Sequence, residues 1–243
     1  PGSSTDDGPR AVNDPSASRR LPNGVLRVIG TSALSTVGAL AMATALGKLV
    51  FDITGREIDL GFIGLAEFLP TALLAPVVGP LADRHDRRKM VALGLLLEAC
   101  AAGALALYAA TGPTRVWPIF TLIVCYGIAR AAVAPPLRAL PADLAGSQLA
   151  RVVPLSSAAW QLAVIVGPVV GGFLYVAGAD RPFWFATVTV LIGMGLILTA
   201  PDVRGARRPT PADDAAAATP AGRRALQEAM EGPALVRRTP ILL

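Results

Sequence analysis

Charged side chains inside long apolar segments are the candidates for chemistry in this sequence. Glu67, Glu98 and Arg130 lie within three such segments, and Lys48 and Asp52 lie near the end of a fourth. A charge in the hydrocarbon region of a membrane is costly, so such residues pair with one another or mark a transport pathway. Lys48 and Asp52 are four residues apart, and we expect them to form an anchoring ion pair on one helix face.

The sequence offers little for catalysis or metal binding. It contains one histidine, His85, and two cysteines, Cys100 and Cys125, which lie in apolar segments and resemble small buried hydrophobes. One histidine without a cysteine or carboxylate cluster predicts no metal site. No Ser–His or Cys–His arrangement and no phosphate-binding loop is found in the sequence. We therefore expect no catalytic residue, no cofactor and no metal, and a membrane enzyme is the least favoured class.

The elements that must position these charges are membrane-length helices. Hydrophobic residues make up 53% of the chain and charged residues 16%. Apolar runs meet the ~20 residues that a spanning helix needs, and the first is too long for the core of a signal peptide. These runs are residues 25–51, 60–81, 90–110, 117–140, 152–177 and 182–200. The sequence therefore predicts an all-α membrane protein with a bundle of six transmembrane helices.

The basic residues predict the orientation of this bundle. Of the 22 lysines and arginines, 17 fall at one face of the six-span topology and 3 at the other. Short loops rich in Lys and Arg stay in the cytoplasm, so both ends of the chain are predicted to be cytoplasmic. The net charge of +5 then reflects membrane orientation, and no nucleic-acid partner is needed to explain it.

A charged motif occupies the loop between the second and third spans. Its residues are Gly79, Asp83, Arg84, Arg87 and Arg88, followed by Lys89. This spacing resembles the signature loop between helices two and three of the major facilitator superfamily. The sequence departs from the family at Asp86, where the family most often has Gly, so the turn must form without that flexibility. The resemblance implies that this chain is the N-terminal half of a twelve-helix transporter. In that family the six helices of one half form two three-helix repeats of inverted orientation.

A second motif lies in the fifth span. Its residues are Gly167, Pro168, Gly171 and Gly172. They resemble the Gly-Pro-x-x-Gly-Gly signature that, in this superfamily, is typical of proton-driven exporters. A proline bends a helix and glycines let a neighbouring helix approach, so the same residues also fit an ordinary packing face. Residues 47–54, 64–70 and 139–144 resemble the drug and siderophore exporter branch.

The resemblance implies roles for the charged residues inside the spans. Span two helps to line the central cavity in this family, so Glu67 could carry a proton or meet a cationic substrate. A hydrogen-bonded position at a helix interface is the alternative for Glu67. Arg130 stands where many family exporters have a functional arginine, although Val133 and Ala134 replace the expected Gln and Gly. The family places span three toward the periphery, which predicts a structural role for Glu98.

The loop motif implies an inner gate. Asp83 is expected to meet the N-terminus of a helix in a second half of the protein, where a helix dipole stabilises a carboxylate. Arg84 or Arg88 is expected to pair with Asp143 at the inner end of span four. These contacts would form when the transporter faces outward and break when it opens inward.

The two ends of the chain predict segments outside the bundle. Residues 1–23 are polar and are expected to be a disordered cytoplasmic N-terminus. Residues 24–200 form the predicted six-helix bundle. Residues 201–243 are predicted to be a cytoplasmic linker with an amphipathic helix at 225–236 and the start of a seventh span at 237–243.

The resemblance thus implies a secondary transporter of a bacterial plasma membrane. The expected activity is proton-driven efflux of a small drug-like, siderophore or amphipathic compound. An uptake permease or facilitator of the same superfamily is the alternative, and a non-transporting receptor or scaffold is a third reading. The expected partners are membrane lipid, protons, the small-molecule substrate and a second six-helix half. The identity of the substrate does not follow from the sequence.

Overall fold

Six α-helices joined by short turns make up the described part of the chain. The computed structural model describes residue 21 and residues 23–84, 86–145 and 148–199, with the backbone alone at residues 75–77, 79–84, 87 and 143. The helices are α1 (Asn23–Thr54), α2 (Ile58–Arg84), α3 (Arg87–Ala110), α4 (Trp117–Ala145), α5 (Leu149–Ala177) and α6 (Arg181–Leu198). Most of the predicted N-terminal segment, the predicted linker at 201–243 and His85 lie outside the described residues.

The helices have the length and composition of membrane spans. Within the described residues, α1 and α3 to α6 each contain a stretch long and apolar enough to cross a membrane. Helix α2 has 27 residues, which corresponds to roughly 40 Å at ~1.5 Å per residue. The prediction of six helices is confirmed, and most ends differ from the expected ones by two or three residues.

Helix α4 is the main difference in length. The sequence predicts that it ends near residue 140, before Pro141, but the helix continues to Ala145 and includes Pro135, Pro136 and Pro141. A proline removes one backbone donor from a helix. In an apolar environment an open backbone would leave several groups without hydrogen bonds, so continuing the helix is the more stable choice.

The helix contacts follow a symmetric pattern that relates two three-helix units to each other. The first unit is α1–α3 and the second unit is α4–α6. Helix α1 packs mainly against α5 and α6, α4 packs mainly against α2 and α3, and α3 packs against α6. Exchanging the two units leaves this pattern unchanged. Because three antiparallel helices bring the chain to the opposite side, the second unit is inverted relative to the first, as the sequence predicts.

The core lies where α1, α3, α4 and α6 meet. Its largest fully buried side chains include Leu46, Leu105, Ile123, Tyr126 and Phe183. Apolar side chains are exposed on all six helices, and on α2 and α5 they include Phe68, Leu73, Phe173 and Val176. The described parts of the equivalent helices α2 and α5 contribute few of the fully buried core side chains.

Candidate functional site

A buried ion pair joins α3 to α4. Glu98 on α3 is fully buried, and its Oε1 lies 3.7 Å from Nη1 of Arg130 on α4. Neither carboxylate oxygen of Glu98 has a partner with hydrogen-bonding geometry in the described part of the chain. The resemblance places span three toward the periphery and predicts a structural role for Glu98, and the Glu98 side chain itself points into the bundle. The reason is that one face of α3 is turned toward α4.

Two more polar residues complete this interior group. Tyr126, which lies one helical turn before Arg130 on α4, is buried near this ion pair. Ser35 on α1 is also buried and lies near the Glu98 carboxylate. The salt-bridge partner of the Arg130 guanidinium among the described residues is Glu98 on α3.

Arg130 also borders two cavities. The first, which we name the serine cavity, has a volume of about 490 Å³ and lies between α1, α4 and α5. The second, which we name the glutamate cavity, has a volume of about 510 Å³ and lies between α2 and α4. Arg130, Ala134 and Arg138 line both of them. One face of α4 therefore forms a wall that the two cavities share.

Glu67 lines the glutamate cavity and is half-buried. A side chain added at Gly127 of α4 would place its Cβ 2.6 Å from the carbonyl oxygen of Glu67, so the two backbones touch at this point. The hydroxyl of Thr71 donates to the carbonyl oxygens of Glu67 and Gly127, at 3.3 and 3.2 Å. These contacts fix the Glu67 backbone against α4, one turn from Arg130.

The glycines of the α5 motif form a similar close contact with α1. A Cβ at Gly171 would lie 2.4 Å from the carbonyl oxygen of Ala41, and one at Gly167 would lie 2.7 Å from Cβ of Leu40. Gly172, by contrast, has no heavy atom within 4 Å of such a Cβ. Gly167 and Gly171 therefore allow α5 to pack against the α1 backbone. Helix α5 continues through Pro168.

Comparison with known proteins identifies the family. The sequence profile of the Major Facilitator Superfamily matches residues 22–242. The chain belongs to this superfamily. Together with its apolar helices, this membership makes it a multi-pass membrane protein.

Several curated members of the superfamily are similar in sequence. The class C tetracycline resistance protein of Escherichia coli is 32% identical over 201 residues, covering 78% of this chain and 48% of that protein. Macrolide efflux protein A of Streptococcus pyogenes is 29% identical over 144 residues, covering 59% and 36%. Multidrug resistance protein 2 of Bacillus subtilis is 28% identical over 134 residues, covering 55% and 32%. The chain thus spans between a third and a half of these relatives' lengths.

The superfamily loop motif spans the end of α2, the short turn after it and the start of α3. Helix α2 ends at Arg84 and α3 begins at Arg87, so Gly79, Asp83 and Arg84 belong to the last two turns of α2. The side chains of these residues, of Arg87 and of Asp143 lie outside the described residues, so the expected gate contacts stay predictions.

Asp86 is the residue that departs from the family pattern, and its role in the turn is clear. It has φ −66° and ψ 104°, and its side chain accepts a hydrogen bond of 3.1 Å from the backbone N–H of Arg88. Asp86 is therefore the N-cap of α3. Because its φ is negative, the turn does not need the conformational freedom of glycine at this position.

The predicted ion pair near the end of α1 is present. The Lys48 ammonium contacts Oδ1 of Asp52, and the hydroxyl of Tyr175 on α5 donates to Oδ2 of Asp52 at 2.9 Å. Lys48 Nζ also lies 5.9 Å from the centre of the Tyr175 ring. The pair connects α1 to α5 where both helices end, which the sequence alone does not indicate.

The structure thus brings Glu67 and Arg130 to one cavity, the glutamate cavity, and places Glu98, Tyr126 and Ser35 in the neighbouring interior. One signal could have revealed the Glu98–Arg130 pair. Two opposite charges at comparable depth in successive spans are expected to find each other, because each is costly alone in lipid. Among the described residues, no cluster of three or more His, Cys, Asp and Glu side chains could hold a metal ion.

Proposed function

We propose that this chain is the N-terminal half of a secondary active transporter of the plasma membrane that exports small amphipathic compounds. Its superfamily membership supports transport, and relatives that are named for macrolide efflux, tetracycline resistance and multidrug resistance support export. The partial coverage of those relatives supports a second six-helix half as the partner. The charge distribution of the loops supports cytoplasmic ends for this bundle.

The observation that carries the proposal is that Arg130 pairs with one carboxylate, Glu98, and lines a cavity together with another, Glu67. Glu98 lies behind Arg130 in the protein interior, and Glu67 faces the glutamate cavity that Arg130 also lines. An ionisable group inside a membrane bundle and facing a cavity is the expected form of a proton or substrate site. Glu67 is therefore our first choice for the acid that couples proton entry to export.

Proton binding at Glu67 would change the charge of this group. With both carboxylates ionised, Glu67, Glu98 and Arg130 carry a net charge of −1. Protonation of Glu67 makes the net charge zero and leaves Arg130 with Glu98 as its one counter-ion in the group. The electrostatic field at the shared wall of the two cavities then differs between the two states. Protonation of Glu67 can favour one transporter conformation over the other only if Glu67 has a different environment, and so a different proton affinity, in the two conformations.

The gate completes the proposed cycle. Asp83, Arg84, Arg88 and Asp143 would close the inner side when the transporter faces outward and would separate when it opens inward. Alternating access of this kind is the movement of one helix bundle against another around a fixed site. The six helices described here are one such bundle.

The test uses the full-length protein in sealed inside-out vesicles with an acidic interior. Tetracycline, which is fluorescent, serves as the probe, and its accumulation in the vesicles reports export. We expect accumulation to stop when nigericin collapses the pH gradient and to fall to background in Glu67→Gln. The matched control is Glu57→Gln, because Glu57 is exposed in the turn before α2. Accumulation that survives nigericin would exclude proton coupling, and normal accumulation in Glu67→Gln would place the coupling acid elsewhere.

A further inference from the structure

The two cavities share a wall but differ in charge. Among the described residues, the serine cavity is lined by two arginines, Arg130 and Arg138, and by no carboxylate. The glutamate cavity has the same two arginines together with Glu67. Glu98 is fully buried behind Arg130 and lines neither cavity. The described wall of the serine cavity is therefore cationic.

The two arginines are spaced along one face of α4. They are eight residues apart, which places them on the same side of the helix and roughly 12 Å apart along its axis at ~1.5 Å per residue. A guanidinium is always charged and binds a carboxylate or another oxyanion through paired N–H donors. The spacing leaves room for a drug-sized molecule whose anionic end meets one arginine.

The opposite walls of the serine cavity supply hydroxyl groups and one aromatic ring. They contain Ser32, Ser35, Thr36, Ser156, Ser157 and Trp160. The Oγ of Ser156 is buried and has no hydrogen-bond partner among the described residues. Trp160 is half-exposed and offers a flat apolar surface. A volume of about 490 Å³ is in the range of drug-sized sites.

We propose that the serine cavity binds aromatic organic anions and that the glutamate cavity takes the proton. The inference deepens the proposed function and rests on it. Arginine N–H groups and the Ser156 hydroxyl are donors that match a carboxylate or phenolate, and Trp160 matches an aromatic skeleton. A cation in the serine cavity would face Arg130 and Arg138 without a described carboxylate on the wall, which is unfavourable.

The test compares three ligands that share one fluorescent ring system and differ in charge. Dansylglycine carries a carboxylate, dansylglycinamide is neutral, and dansylcadaverine carries an ammonium group. Binding to the full-length protein in detergent micelles is followed by the rise in dansyl emission, with no pH gradient present. We expect dansylglycine to bind roughly tenfold or more tightly than dansylglycinamide, because charge-assisted hydrogen bonds are the stronger ones. Equal binding of the three, or tightest binding of dansylcadaverine, would overturn the proposal.

Variants of Arg138 then test whether the preference for the anion arises in the serine cavity. Arg138→Gln should reduce dansylglycine binding roughly tenfold and leave dansylglycinamide unchanged, whereas Arg138→Lys should keep most of the preference. Arg181→Gln is the matched control, because Arg181 is exposed at the start of α6 and does not line the cavity. Size-exclusion elution and the melting temperature check that each variant is folded. The ligand series on the unmodified protein decides the question even if Arg138→Gln does not fold.

This experiment separates the inference from the proposed function. Preference for the anion together with tetracycline accumulation that survives nigericin would support the cavity assignment and contradict proton coupling. Gradient-driven accumulation together with a preference for dansylcadaverine would support coupling and overturn the cavity assignment.

Discussion

The first and second three-helix units have the same pattern of helix contacts but carry opposite charges in the interior. The first unit supplies both carboxylates, Glu67 on α2 and Glu98 on α3, and the second unit supplies Arg130 on α4. The equivalent contacts also differ in detail, because the glycines lie on α5 where it meets α1 but on α4 where it meets α2.

This difference separates the residues that pack the helices from the charged residues that form the candidate site. Inverted repeats give two units the same packing problem, and small residues solve it in both. The charged site needs both units, since its acids and its base come from different ones. We infer that the residues that differ between the two units, the charged ones, form the functional site, and that the contacts the units share serve packing. The following experiments test this distinction.

The largest expected effect comes from breaking the pair between the units. Arg130→Gln leaves Glu98 buried without its counter-charge and should reduce the free energy of unfolding by about 3 kcal/mol or more. The double variant Glu98→Gln/Arg130→Gln should recover most of this loss, because no buried charge remains. Unfolding in detergent micelles, followed by circular dichroism, measures all four members of the cycle. Effects that add within about 0.5 kcal/mol would show that the two residues are not coupled.

An intermediate effect is expected at the close contact between α1 and α5. Gly171→Ala places a Cβ 2.4 Å from a backbone oxygen that cannot move aside easily, and overpacking of this kind costs about 1–3 kcal/mol. Gly172→Ala, the neighbouring control, adds its methyl group in open space and should not lower stability. The equivalent contact between α2 and α4 predicts a loss of similar size for Gly127→Ala, whose Cβ would lie 2.6 Å from the carbonyl oxygen of Glu67. Equal melting temperatures for the two adjacent variants, Gly171→Ala and Gly172→Ala, would contradict the packing role.

The smallest expected change in stability distinguishes the turn before α3 from the equivalent turn before α6. Asp86 caps α3 with its side chain, whereas Asp180, at the N-cap of α6, makes no side-chain cap hydrogen bond. Asp86→Ala should therefore lower the free energy of unfolding by about 1 kcal/mol, and Asp86→Gly by only a few tenths. Asp180→Ala should change it by less than about 0.5 kcal/mol. Similar losses for the two alanine variants would show that the caps do not distinguish the units.

Most of the fold could be predicted because its signals are local. Apolar runs separated by charged or Gly-Pro turns predict the six helices, and the loop and α5 motifs indicate the superfamily. The end of α4 was less predictable. Whether a helix continues past Pro141 depends on whether its last turn lies in apolar surroundings or in water, and the local sequence does not determine this.

The site was predictable only in part. Glu67 and Arg130 could be singled out because a charge inside a span is informative by itself. The partner of Arg130 depends on how far α3 is rotated about its own axis relative to α4, and that rotation is set by packing contacts such as Gly94 against Val133. The side chains at the expected inner gate lie outside the described residues, so that part of the prediction is still to be tested.

The contact between α1 and α5 has a mechanical consequence. The two helices touch backbone to backbone at Gly167 and Gly171 and are tied again near their common end by Asp52 and Tyr175. Because α1 and α5 are attached at two separate places, they should neither slide past each other nor bend apart, and we expect them to move as one rigid body. The serine cavity lies between α1, α5 and α4, so it should widen when α4 moves away from α1 and α5.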